Sequence, residues 1–139
     1  MNNYIHKVKY YETDKMGITH HSNYVRWMEE ARIDMLDQMG FGYKKVEELG
    51  IGSPVLSYEC NIKKSTTFDD EIEIATICKE YDGIKLVIEY NMTKDGKIIA
   101  TGNTKHCFIN SAGKPVRLTK VCVELDSKLK DELKKEHLI

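Results

Sequence analysis

The stretch YETDKMGITHHSNYVRWMEEARIDMLDQMG, residues 11–40, decides how the chain folds, because its period changes in the middle. Just upstream, YIHKVKYYE alternates and carries β-branched and aromatic residues, which predicts a strand over 4–12. Thr13 to Asn23 is irregular, with Gly17 as its punctuation. From Tyr24 onward, Tyr24, Trp27, Met28, Ala31, Met35, Leu36 and Met39 recur mostly at three- and four-residue steps. That is one face of an amphipathic helix. Ser22 or Asn23 suits its N-cap, and Gly40 suits the residue just past its end.

Beyond the helix, YKKVEELG (43–50) reads as a short second helix closed by Gly50. After Pro54 the pattern turns strand-like, with strands near 55–64, 70–81, 84–93 and 97–109. Asp-Gly pairs in YDGI and TKDGKI mark two of the turns between them, and NSAGKP (110–115) marks another. DSKLKDELKKEHL spaces Leu129 and Leu133 four apart among charges, which suggests a solvated terminal helix over about 126–138. TKVCVEL carries no assignment. One long helix and a run of consecutive hairpins imply an α+β architecture, with the helix packed on one face of an antiparallel sheet.

The 139 residues fit one domain, 1–139, and 41% hydrophobic with 31% charged is an ordinary soluble composition. Lys+Arg 21 against Asp+Glu 22 gives a net charge of -1, which argues against a nucleic-acid partner. Cys60, Cys78, Cys107 and Cys122 form no C-x-x-C pair and read as scattered free thiols of a reducing compartment. MNNYIHKVKYYE has no apolar targeting segment, and no run of the chain approaches a membrane span. The expectation is a cytoplasmic protein with no membrane association.

The irregular stretch concentrates acid–base side chains. Asp14 ahead of Gly17 reads in two ways. One is a turn-former satisfying local N–H groups. The other is a carboxylate beside the N-terminus of the long helix, whose first N–H groups lack intrahelical partners and polarise any carbonyl held there. In that arrangement the carboxylate attacks the carbonyl or activates water toward it. His20 and His21 are adjacent and lack an H-x-x-x-H companion, so no metal site is expected. Glu29 is an exposed helical acid, a partner of Arg32, or a site residue.

The stretch YYETDKMGITHHSNYVRWMEEAR resembles the signature of the 4-hydroxybenzoyl-CoA thioesterase family of hotdog-fold proteins. The matching features are an aromatic and a small polar residue before an Asp, a Gly three positions on, then His, any residue, Asn and Tyr, and a helix bearing Glu and Arg. TTFDDEIEI, with paired acids Asp69 and Asp70, and GKPVRL (113–118) follow in the family's order. The resemblance implies a curved antiparallel sheet wrapped around one long helix. It makes Asp14 the catalytic carboxylate and the backbone at the helix start, here Tyr24, the group that polarises the carbonyl. Gly17 allows close approach of the chain, and His21 sits by the site.

His20 stands where relatives often carry an aromatic, and Thr66-Thr67 where they carry Pro-Ala, so these positions bear on substrate rather than on reaction. The helix face with Trp27, Met28 and Ala31 shapes the acyl pocket, and Glu29 matches a helix acid of variable role. The resemblance also implies a homodimer or homotetramer with sites at the subunit interface, lined by Lys63 to Phe68 of the neighbouring chain. Lys63, Lys64 and Arg117 are candidates for the phosphates of CoA. No cofactor is implied. The expected activity is hydrolysis of an acyl-CoA (or acyl-carrier-protein) thioester to a free acid and thiol. The alternative is a non-catalytic hotdog module that binds acyl thioesters or scaffolds a dimer. A hydratase of the same fold is disfavoured, because its Asp-x-x-x-x-His spacing is shorter than that from Asp14 to His20 or His21.

Overall fold

The computed structural model describes residues 1–137. Five strands form one antiparallel sheet: β1 (Tyr4–Lys7), β2 (Val55–Ile62), β3 (Glu71–Tyr81), β4 (Leu86–Lys94) and β5 (Lys97–His106), in the order β1-β3-β4-β5-β2. The turn chemistry read from the sequence sets the hairpins. Asp95 and Gly96 join β4 to β5 with φ of 51° and 77°, the two left-handed residues that a tight two-residue hairpin needs.

Alternation gives the sheet one apolar face. Ile72, Ile74, Ile88, Tyr90, Met92 and Ala100 are fully buried on it. Across that face lies α1 (Ser22–Gln38), which turns Tyr24, Trp27, Met28, Ala31 and Met35 inward. The two layers meet closely at Gly102. A Cβ there would stand 2.7 Å from the Glu59 carbonyl oxygen and 2.8 Å from the Met28 sulfur. One long helix held against an antiparallel sheet is the arrangement that the hotdog resemblance implies.

The end of α1 follows expectation: Gly40 takes φ +86° and its N–H closes the last turn onto Asp37. The start does not. The helix begins at Ser22 with His21 as N-cap residue, so neither Ser22 nor Asn23 occupies the cap. The Asn23 side-chain amide is spent on the carbonyls of Glu12 and His20, and the Ser22 N–H is met by His20 Nδ1 instead. The first strand is also shorter than the 4–12 alternation predicts, and Tyr10–Glu12 forms a single 3-10 turn. That turn leaves Tyr10 and Tyr11 exposed and buries Glu12.

Two short helices follow: α2 (Tyr43–Glu48), ended as its sequence signals at Gly50 with φ +67°, and α3 (Leu118–Val121), which starts at Leu118 and runs into the unassigned TKVCVEL. The terminal helix α4 (Val123–His137) starts earlier than expected and is not simply solvated. Leu125 and Leu129 are buried with the core, and α4 packs on β3. Position 138 of the expected helix lies outside the described residues. The Asp126 carboxylate accepts from Tyr81 Oη and pairs with Lys130 at 2.9 Å, which fixes the helix laterally. The four cysteines are unpaired. Among the described residues no helix is long and apolar enough to cross a membrane.

Glu12 is the buried polar hub of this fold. One of its carboxylate oxygens accepts the Lys9 N–H at 2.8 Å and meets His6 Nε2 at 2.8 Å, and the other accepts Trp27 Nε1–H at 2.9 Å. Burial alone would raise its pKa. The Lys9, Trp27 and His6 donors outweigh burial and hold it below the ordinary carboxylate value. Glu12→Ala strands these donors and is expected to cost about 3 kcal/mol or more in urea unfolding. Because the folded-state value is the lower one, Glu12 stabilises fully above the unfolded carboxylate range. Its contribution fades as pH falls through the folded value, so the gap between wild type and Glu12→Ala should narrow in acid.

Candidate active site

The loop from Thr13 to His20 is held along its length. Thr13 bridges Thr19, and Ile18 bridges Thr67. The Thr19 N–H donates to the Thr66 carbonyl at 2.8 Å, and the His20 N–H donates to the Glu12 carbonyl at 2.8 Å. Within the loop, the Met16 N–H donates to Asp14 Oδ1 at 2.8 Å and the Gly17 N–H to the Asp14 carbonyl at 3.0 Å. This is the turn role of an Asp. It occupies one carboxylate oxygen, and no protein donor among the described residues meets Oδ2. The turn reading and the site reading of Asp14 are therefore compatible.

The loop delivers Asp14 to a cleft of about 240 Å³. Its walls include Asp14, His21, Tyr24, Ile62, Lys63 and Lys64. The helix N-terminus opens here, but not at the expected residue. The Tyr24 N–H already donates to the His21 carbonyl at 3.3 Å, and the Asn23 N–H donates to the His20 carbonyl at 3.0 Å. The His21 N–H has no protein acceptor among the described residues. The unspent amide is thus three residues before Tyr24, because the helix starts earlier than the apolar period does. Tyr24 contributes a buried ring, whose hydroxyl meets Thr66 Oγ1 at 3.1 Å. Burial pushes that phenol's pKa up.

The other expected residues divide. The rings of His20 and His21 lie with centroids 4.2 Å apart, and both residues are exposed. His20 caps the helix through Ser22 and does not line the cleft. Thr66 is buried beneath it, bonded to Thr19 Oγ1 at 2.7 Å, and Thr67 Oγ1 donates to the Gly17 carbonyl at 2.7 Å. Trp27 is wholly buried with its N–H on Glu12, away from the cleft. Glu29 lies further along α1, paired with Arg32 at 2.6 Å beside a different cavity.

Lys63 and Lys64 border the cleft of their own chain, since the Thr19–Thr66 pairing folds this segment back onto the Asp14 loop. Arg117 sits beside Gly83, away from this cleft. Asp70 is a structural acid. It accepts the Thr67 N–H and pairs with Lys94 at 2.9 Å; burial opposes these partners, and they hold its pKa low. The sequence reading missed Asn23 as the clamp between Glu12 and His20. Its one signal was a polar residue at the helix start, which reads equally as a cap.

Comparison with known proteins agrees with this fold. The family model of the thioesterase-like superfamily matches residues 8–133. The chain belongs to the thioesterase-like superfamily. A protein of Aquifex aeolicus, provisionally named an esterase, is 38% identical over 122 residues, covering 88% of this chain and 94% of that protein. A protein of Bacillus subtilis, provisionally named an acyl-CoA thioesterase, is 32% identical over 116 residues, covering 82% of this chain and 84% of the relative. The solved DHNA-CoA thioesterase of Staphylococcus aureus superposes with a TM-score of 0.90 at 32% identity, over 99% of this chain and 95% of that one. The fold is the hotdog fold, and thioester hydrolysis is the reaction class of this superfamily member.

Gly17 tests how the loop is built. Its φ is +79°, and an added Cβ would meet nothing within 4 Å. Among its own chain's atoms, the left-handed backbone is therefore what asks for glycine here. Gly17→Ala is expected to lower stability by about 1 kcal/mol, and Gly17→Asn by less, in chemical denaturation.

Proposed function

We propose that the chain hydrolyses acyl-CoA thioesters in the Asp14 cleft. The observation that carries this is the meeting, on one cleft of one chain, of a carboxylate with an unengaged oxygen and a helix amide with no acceptor. The thioester carbonyl oxygen points at the His21 N–H and the positive end of α1, which stabilise the negative charge that develops on it. Asp14 Oδ2 acts on the carbonyl carbon. Either it attacks directly, expelling the CoA thiolate and leaving an anhydride that water opens, or it takes the proton of an attacking water.

Lys63 and Lys64 at the rim suit the phosphates of the CoA nucleotide. The order Asp14, Gly17, His21, Asn23 supports placing the chain with the 4-hydroxybenzoyl-CoA thioesterases. The relatives named for acyl-CoA and DHNA-CoA substrates fit the same class. We also infer a homodimer or a pair of dimers. Among the described residues the outer edge of β2 pairs with no strand, and it carries Leu56 at 61% and Tyr58 at 59% exposure, an edge that an isolated chain would leave open to pairing. Light scattering should give a dimer or tetramer mass, and a monomer mass sinks this part.

Loss of the thioester absorbance of aryl-, short- and long-chain acyl-CoAs tests the reaction. Wild type is expected to turn over at least one, and Asp14→Asn to lose about a hundredfold or more in kcat while remaining folded. If wild type hydrolyses none of them, the proposal fails. His21 separates amide from side chain. Its φ of -56° lies within the range that a proline ring sets, so His21→Pro deletes the N–H where proline's own φ fits. His21→Pro should cost roughly a hundredfold and His21→Ala much less. Equal activity of the two variants would remove the amide from the mechanism.

A further inference from the structure

The His21 N–H, which has no protein acceptor among the described residues, is one half of a peptide unit whose other half is the His20 carbonyl. A trans peptide is planar, so its N–H and C=O point in opposite directions and turn together. Whatever holds the His20 carbonyl therefore aims the His21 N–H. Asn23 holds it twice. Its main-chain N–H donates to that carbonyl at 3.0 Å, and its side-chain Nδ2–H donates to the same oxygen at 3.2 Å.

The second hydrogen of Nδ2 goes to the Glu12 carbonyl at 2.9 Å, where the His20 N–H also donates at 2.8 Å. A single side-chain amide therefore ties the His20–His21 peptide to the residue that His6, Lys9 and Trp27 hold from the other side. The chain can redirect the His21 N–H without moving its neighbours only by rotating this peptide, through ψ of His20 and φ of His21. That rotation breaks both Asn23 bonds. The bonds also work through the peptide itself: a carbonyl that accepts hydrogen bonds becomes more polarised, and so does the N–H conjugated with it. Asn23 is 5% exposed and lines no part of the Asp14 cleft. Every atom of this arrangement belongs to one chain, and none lies on β2.

We propose that Asn23 is the positioning residue of this cleft: its side-chain amide keeps the His21 N–H turned toward the oxygen on which charge develops, and makes it a stronger donor. This rests on the hydrolysis proposed for the Asp14 cleft and adds the residue that sets its donor. Asn23 itself touches no reacting atom. Charge on the carbonyl oxygen is greater in the transition state than in the bound thioester, so loss of the side chain falls on kcat more than on KM. The main-chain bond to His20 survives in Asn23→Ala, so that variant loosens the amide where His21→Pro deletes it. Its cost is the smaller of the two.

A double-mutant cycle between Asn23→Ala and His21→Pro, followed by acyl-CoA hydrolysis on the intact protein, tests this. In the wild-type background Asn23→Ala should cost about tenfold in kcat with KM changed by less than about twofold. In the His21→Pro background no amide is left to aim, and the same substitution should cost less than about twofold. A merely structural role gives the same loss in both backgrounds, and that outcome overturns the proposal. A second measurement needs no turnover. In protein labelled with 13C and 15N, the His20 carbonyl carbon and the His21 amide nitrogen should both move upfield in Asn23→Ala, because the carbonyl loses a donor. Unmoved resonances overturn the proposal as well. Should Asn23→Ala fail to fold, Asn23→Ser, which keeps one donor in place of two, takes its part in both measurements. If wild type hydrolyses no acyl-CoA, this inference falls with the hydrolysis proposal. If the Asp14→Asn and His21→Pro losses stand while the cycle is additive, this inference alone falls.

Discussion

The structure depends on a carboxylate inside the protein. Glu12 joins the end of the first strand to α1 through His6, Lys9 and Trp27, and its carbonyl receives the His20 N–H and the Asn23 side chain. Five donors thus converge on one residue from three parts of the chain. A buried anion with fewer partners would be costly. With these it is a rigid joint. Everything that gives the cleft its geometry hangs from that joint: the loop that carries Asp14 leaves Glu12 at one end and returns to it through His20 at the other. The reaction proposed for this cleft would require donors fixed before the substrate arrives, and the buried joint holds the loop and the helix start in one arrangement.

How much of this the sequence makes legible follows from the range of the interactions involved. The strand meander is legible because alternation and the Asp95-Gly96 turn are local, and Gly40 marks the helix end for the same reason. The start of α1 is not local. Asn23 looks like a cap until Glu12 and His20 claim its side chain; His21 then takes the N-cap position, and His20, which looks like a site residue, meets the Ser22 N–H. Asp14 and Gly17 were visible by type and spacing, yet the helix-start N–H without an acceptor among the described residues is that of His21, since the Tyr24 N–H donates to the His21 carbonyl. The apolar period begins at Tyr24, but the backbone becomes helical earlier, and no side-chain pattern records that offset. Nor does a pattern of charges and leucines reveal that α4 turns Leu125 and Leu129 into the core. That depends on what β3 leaves uncovered.

Helix α1 brings two different electrostatic problems together. At its first turn His20 and His21 accept the Ser22, Asn23 and Tyr24 N–H groups, and the His21 N–H alone has no protein acceptor among the described residues. About three turns later the Arg32 cation is buried, paired with Glu29, whose side chain in one chain is 45% exposed. The first situation favours charge that appears during a reaction; the second favours an anion that is charged throughout.

His21, Val25, Glu29, Arg32 and Leu36 follow one another at three- and four-residue steps, a single stripe along the flank of α1. Tyr58, Cys60 and Ile62 on β2 stand opposite Thr104, Gly102 and Ala100, residues of the face that α1 covers, so these β2 side chains share the helix side of the sheet. In one chain Tyr58 and Ile62 remain exposed at 59% and 45%. Should a second chain join at the β2 edge, its side chains would meet this stripe and these residues, while Asp14, Gly17 and the His21 amide stay where Glu12 and Thr66 hold them. Reaction chemistry would then be set within each chain, and the wall against which an acyl group lies would be set by the pair. A motif that fixes only the first can recur across relatives named for different thioesters.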